Sequence, residues 1–422
     1  MSPLETTKLF SSTHGTNEGN DQQVAQEDQD ENINLFSEIL NETGITGSTS
    51  ASRPTTIMYN FILLSALFSA NHGAVVSCLS LATARLGDLG SWQSSALYLS
   101  YTMSALFGAT FVVKNMGPRN SIITGMWIYC VYVACFVIAT IFPGIKEVSA
   151  LMGALVGGIG GGFLWTAQGS YFARASEEYA LAKSLSIEDS TSLLGGIFAG
   201  IYLGFEVLLR LFSSIMLNWN WSWVSIFTGY TIVAVGAALL MAFAVDYPAS
   251  EEEKRRNDSQ STFYKSTVTF RLLLSDPKMK YMVPLSATFA LSSVLIITFV
   301  NGEVVRVALS DSNSVYIGLL TSITAAVGGI MSVVFGFASR RIGNATILVI
   351  GCVSFFSISF LFLLYPNLTS WNLQSLILVY GLQGVGRGKF CFVRTIFVMC
   401  PCTPYPYAFT HVVLQFSLDL SL

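Results

Sequence analysis

The clearest shortage in this 422-residue chain is charge, since Asp, Glu, Lys and Arg together make up only 11% of it. A water-soluble domain carries about 25%, so a soluble globular fold is excluded. Only three histidines are present, and the seven cysteines (78, 130, 135, 352, 391, 400, 402) are odd in number. Four of these lie inside apolar runs, so no disulfide framework is implied. Cys400 and Cys402 are too closely spaced, and lack His or Cys companions, for a zinc site. No nucleophile has a His and an acid at useful spacing, and no Walker-type Gly-Lys-Ser/Thr or metal-ligand cluster occurs. Neither enzymatic activity nor a cofactor or metal is therefore expected. No basic patch with interleaved aromatics exists to bind nucleic acid. A net charge of −3 says little about partners, because placement of charge matters more than its sum.

What is present in excess is apolar surface: 52% hydrophobic residues and a mean hydropathy of +0.58. From Ile57 onward, runs of spanning length, roughly 20 residues, follow one another with short breaks. They fall near 57–82, 92–113, 121–142, 148–172, 191–217, 221–245, 280–302, 314–338, 345–365 and 371–388. The expected fold is an all-α polytopic membrane protein. Residues 1–52 hold nine acidic residues against one lysine and lack a signal-peptide apolar run, and are expected to form a disordered tail. A six-helix bundle over 53–245, a charged central loop over 246–279 and a second helical bundle over 280–422 follow.

Basic residues set the orientation. If the tail and the connections after spans 2, 4, 6, 8 and 10 share a side, that side holds 18 of the 22 lysines and arginines. The positive-inside rule then places the N-terminus in the cytoplasm, with the chain integral to the plasma membrane or an endomembrane. Five Asn-x-Ser/Thr sequons occur; only those at Asn220 and Asn367 fall on the outer side, in loops too short to expect glycosylation.

Span 4 contains the stretch Gly153 to Tyr171, GALVGGIGGGFLWTAQGSY. In a bilayer the backbone must bond to itself, so this run is helical despite its glycines. The spacings Gly153/Gly157 and Gly158/Gly162, with Gly161 between, suit close helix packing. A polar-ended helix lining a cavity is the alternative. A weak internal repeat supports a paired architecture. Lys114 with Gly117 and Gly125 recurs as Arg340 with Gly343 and Gly351, at an offset of 226. Leu64-Ser-Ala-Leu-Phe68 recurs as Leu285-Ser-Ala-Thr-Phe289, at an offset of 221, and Leu155-Val-Gly-Gly158-Ile-Gly-Gly161 as Leu378-Val-Tyr-Gly381-Leu-Gln-Gly384, at 223. Duplicated six-span halves about an axis along the membrane normal are expected.

This plan resembles the major facilitator superfamily, with a second half that is incomplete. The family's loop signature is G-x-x-x-D-[RK]-x-G-[RK]-[RK]. Gly336-Phe-Ala-Ser-Arg340-Arg341-Ile-Gly343 fits it, except that Arg340 stands in the aspartate's place; in the first half Lys114 does, ahead of Gly117. In transporters of that family the aspartate helps latch helices during alternating access, and neither half has it. Three segments further resemble the uncoordinated-93 (Unc-93-like) branch: Ser69-Ala-Asn71-His72-Gly73, Gly161-Gly-Phe-Leu-Trp165-Thr-Ala-Gln168-Gly-Ser-Tyr171, and Tyr380-Gly-Leu-Gln383-Gly-Val-Gly-Arg387. That resemblance, over about 57–388, implies a non-enzymatic regulatory or trafficking partner of an ion channel or receptor. The alternative it leaves is a secondary transporter of a small solute or ion. After Gly388 the chain departs from the family pattern; 407–422 resembles the start of an eleventh helix, and a truncated or altered C-terminus is the expectation.

Polar residues inside spans are functional candidates by default. Glu206 and Arg210 are spaced i, i+4 on one helix face, either as a structural bridge or as a solute or proton site. Asn71 and His72 lie near the middle of span 1, where a helix–helix hydrogen-bonding role competes with a proton switch. Tyr98 and Tyr101 lie on span 2. Gln168 and Tyr171, like Gln383 and Arg387, lie toward the inner ends of spans 4 and 10. They either line a cavity mouth or lock the halves together. Asn301, Glu303 and Arg306 are expected on a solvated outer face.

Overall fold

The computed structural model describes residues 54–247, 275 and 287–398, and leaves the side chains of 339, 340, 344 and 389–398 undescribed. The acidic tail, most of the central loop, the Cys400/Cys402 pair and the expected eleventh helix lie outside the described residues. The rest falls within one compact unit, Arg53–Leu422.

The described residues form helices and no strand, as apolar segments must when lipid offers the backbone no hydrogen bonds. We number the long helices α1 (Pro54–Ser80), α2 (Asp88–Met116), α3 (Pro118–Ile141), α4 (Lys146–Lys183), α5 (Ile187–Asn218), α6 (Trp223–Leu240), α7 (Ala287–Ala308), α8 (Val315–Ala338), α9 (Ala345–Leu364) and α10 (Leu373–Val398). Among the described residues, nine helices, α1 to α9, are long and apolar enough to cross a membrane. The segment of α10 is helical as well, diluted by its glycines and by Arg387.

Local chemistry explains the boundaries. Ser186 and Ser222 cap α5 and α6, accepting from the backbone amides of Asp189 and Ser225 at 3.1 Å. Both carboxylate oxygens of Asp311 accept the amides of Val315 and Tyr316 at the start of α8. Gly117 ends α2 with φ 78° and ψ 163°, and Gly343 breaks α8 from α9 with φ 79° and ψ 157°. Both are conformations that glycine reaches without strain. These two glycines occupy the same place in the sequence repeat, and the same backbone geometry.

The repeat extends to helix packing. Tyr101 of α2 packs on Gly161 of α4, where an added Cβ would lie 2.5 Å from its ring. Thr324 of α8 packs on Gly384 of α10, its carbonyl 2.8 Å from such an atom. From Tyr101 to Thr324 and from Gly161 to Gly384 the chain advances 223 residues, so α2/α4 and α8/α10 pair in one register. On its other side α4 meets α3: Cβ atoms at Gly153 and Gly157 would sit 2.5 and 2.8 Å from the Cβ atoms of Cys135 and Tyr132. Gly158 abuts the Leu97 carbonyl and Gly162 the Ala105 amide. Gly381, expected among the packing glycines, faces open space among the described residues.

Outward-facing apolar side chains, such as Leu99, Phe107 and Phe111 on α2 or Val349, Val353, Phe356 and Phe360 on α9, remain exposed. Such a belt would be insoluble in water, and it is the surface a bilayer covers. The chain is an integral membrane protein.

Candidate functional site

At the centre of the bundle, Glu206 of α5 lies between two arginines. Arg210, one turn along the same helix, approaches its Oε1 at 2.6 Å. Arg387 of α10 donates two parallel bonds, 2.7 Å to Oε1 and 2.6 Å to Oε2. All three are at least 95% buried. The i, i+4 pairing follows from helix geometry, whereas the bidentate bridge to Arg387 joins residues 181 positions apart. Such a fork matches the carboxylate plane and is the stronger of the two interactions.

Beside this cluster lies a cavity of about 20 Å³, lined by Arg210, Ser293, Ile296, Ile297, Thr321, Thr324, Gln383 and Arg387. Arg210 also donates to the Thr321 carbonyl at 3.3 Å. Gln383 accepts from Ser292 and donates to Ser293 at 3.0 Å, fixing its amide against α7. The cavity wall on that side comes from Leu295–Val304, a π-helical stretch of α7, the kind of irregularity that recurs at functional positions.

A seam of hydrogen bonds joins the first six helices to the later ones. Thr83 donates to the Ile297 carbonyl at 3.0 Å, and Asn301 to the Ser80 carbonyl at 3.1 Å. Tyr380 donates to the Asn301 side chain. Ser214 donates to the Val315 carbonyl and accepts the Leu319 amide at 2.7 Å. Asn301, expected on a solvated face, is therefore buried in this seam, while Glu303 and Arg306 are exposed.

The remaining candidates fall elsewhere. Among the described residues Tyr171 neither lines the cavity nor joins the halves. Its hydroxyl donates to the Val245 carbonyl at 2.6 Å and accepts from Asn60 at 2.7 Å, tying α1 and α4 to the segment after α6. Tyr247 joins the same knot through Asn60, and burial raises its phenol above the ordinary value. Arg119 and Arg174 donate to the carbonyls of Ala244 and Tyr247 there. Asn71 bonds the carbonyls of Met126 and Ala234, at 3.3 and 3.0 Å, joining α1 to α3 and α6. His72 is enclosed by Phe68, Tyr129, Trp165 and Tyr202, with ring centroids 5.0 to 6.0 Å away, and among the described residues neither ring nitrogen has a hydrogen-bond partner. Gln168 is buried, its Oε1 without a partner among the described residues. In the loops, Lys114 and Arg341 are exposed and Gly336 half-buried; the Arg340 side chain lies outside the described residues. Sequence reading missed Asn60, Ser293, Thr321 and Thr324, because small polar residues in apolar helices carry no pattern of their own. Among the described residues no group of His, Cys, Asp and Glu is placed to hold a metal.

The Major Facilitator Superfamily model matches residues 58–399. The chain is 27% identical over 147 residues to the putative potassium channel regulatory protein unc-93 of Caenorhabditis elegans, a match covering 35% of this chain and 20% of that protein. It is 20% identical over 338 residues to protein unc-93 homolog A of Xenopus laevis, covering 71% of this chain and 70% of the relative. Among solved structures it shares its fold with the xylose transporter XylE of E. coli, at TM-score 0.58 and 13% identity, covering 88% of this chain and 90% of that one. The nucleoside transporter NupG matches at TM-score 0.56 and 13% identity, covering 87% and 89%.

Proposed function

Because the chain belongs to the major facilitator superfamily as an Unc-93-like member, we propose that it is a non-enzymatic membrane partner that regulates or escorts an ion channel or receptor. The observation that carries this reading is the bidentate Glu206–Arg387 bridge, buried between α5 and α10. Removing one partner of a buried pair costs about 3–5 kcal/mol, so the bridge and the seam beside it favour a fixed arrangement of the halves. A body whose halves stay together presents a constant surface to a partner helix. Lys114 in the aspartate's place supports the same reading, and the nematode relative, a putative potassium channel regulatory protein, suggests the class of partner. In this reading the tail and central loop face the cytoplasm, where 18 of the 22 basic residues would lie.

A second reading, a secondary transporter of a small solute or ion, is favoured by the charged cavity lining. Co-expression with a potassium channel separates the two. The regulatory reading expects the channel to co-purify with the chain and its surface current to change on knockdown. Saturable solute uptake by the parent chain, with no effect on any channel, would instead support transport.

A further inference from the structure

We propose that Arg85, braced on Trp223, holds the headgroup phosphate of one membrane phospholipid at the end of the bundle where α1 and α5 finish and α6 begins. This goes beyond the functional reading above and holds whether the chain regulates or transports. Arg85 lies on the short helix Ala82–Leu86 that follows α1. Its guanidinium carbon sits 5.9 Å from the centroid of the Trp223 ring, at the first residue of α6. Stacking of this kind holds the planar cation in place. Among the described residues the guanidinium has neither an ion pair nor a hydrogen bond, and the nearby carboxylate of Asp88 is exposed. The Arg85 Nε is enclosed, whereas the two terminal nitrogens, which carry most of its donors, remain accessible.

Depth in the membrane supplies the ligand. The 27 residues of α1 rise about 40 Å, more than a hydrocarbon core of about 30 Å, so Arg85 just beyond them reaches headgroup level. Trp219 and Trp221, between α5 and α6, are 63% and 49% exposed, as suits indoles at a membrane interface. The abundant anion at that level is the phospholipid phosphate, whose oxygens match the guanidinium fork. Arg306 offers a contrast at the same end of the bundle, on α7 beyond the Asn301 that bonds Ser80. It is exposed and, among the described residues, has no aromatic ring beneath it.

The test is native mass spectrometry of the full chain, released from detergent micelles that hold equal amounts of dioleoylphosphatidylcholine and dioleoylglycerol. After the bulk lipid is stripped, the parent should retain one phospholipid. Dioleoylglycerol, which lacks the phosphate, should not take its place. Arg85→Gln should lose that lipid, and Arg306→Gln, the same charge change at the same end, should keep it. Excess inorganic phosphate should leave it bound. A phospholipid retained equally by Arg85→Gln would overturn the proposal, as would its loss from both arginine variants alike. Displacement by inorganic phosphate would overturn it in favour of a free-anion site. If Arg85→Gln does not fold, the parent decides the matter, because dioleoylglycerol retained as well as the phospholipid overturns it.

Discussion

Asn71 and His72 are buried as completely as Glu206 and Arg387, yet the two sets do different things. The first pair sits within the first six helices: Asn71 binds carbonyls of α3 and α6, and His72 is walled in by aromatic rings. The second pair crosses from α5 to α10. A neutral side chain can satisfy itself on backbone oxygens that other helices already expose. A carboxylate in the same surroundings needs a cation, and here one comes from a helix 181 residues away. Burial alone therefore does not identify the functional group; charge together with the identity of the partner helix does.

The contrast can be broken by substitution. Glu206→Gln should have the largest effect, destabilising the chain by about 3–5 kcal/mol because two buried guanidiniums lose their counter-charge. Thermal unfolding in nanodiscs reads this directly, and a change below that of Asn71→Ala would erase the distinction. Asn71→Ala should cost about 1–3 kcal/mol, the range for removing one member of a buried hydrogen-bonded set, without altering cross-linking between α5 and α10 cysteine pairs. His72→Phe should be the mildest, within about 1.5 kcal/mol for a shape-conserving swap among aromatic neighbours. A marked loss there would give the imidazole a role that its unpartnered nitrogens do not suggest.

Much of the fold was legible in the sequence because membrane helices announce themselves by length and apolarity, and because the chain repeats. Gly117 and Gly343 were paired by spacing, and both adopt φ near 79°. The Glu206/Arg210 face was legible for the same reason, since i, i+4 spacing is a property of one helix. What spacing cannot supply is the neighbour. Spacing puts Arg387 near the inner end of α10 without naming a partner, and gives Tyr171 a like position on α4. The structure puts Arg387 on Glu206 and Tyr171 in a separate knot with Asn60 and Tyr247. Asn301 departs from its expected place: closeness to a helix end suggests solvent, whereas the π-helical course of α7 packs that end against Ser80 and Tyr380.

A double-mutant cycle on Glu206 and Arg387 tests the inter-helix bridge most directly, with unfolding measured for Glu206→Met, Arg387→Met and the double variant. If the two side chains bridge α5 and α10, each single change is severe and the double variant is more stable than the Glu206→Met variant, giving a coupling above about 1.5 kcal/mol. Losses that simply add would contradict the bridge, and with it the proposal that the halves are held together there.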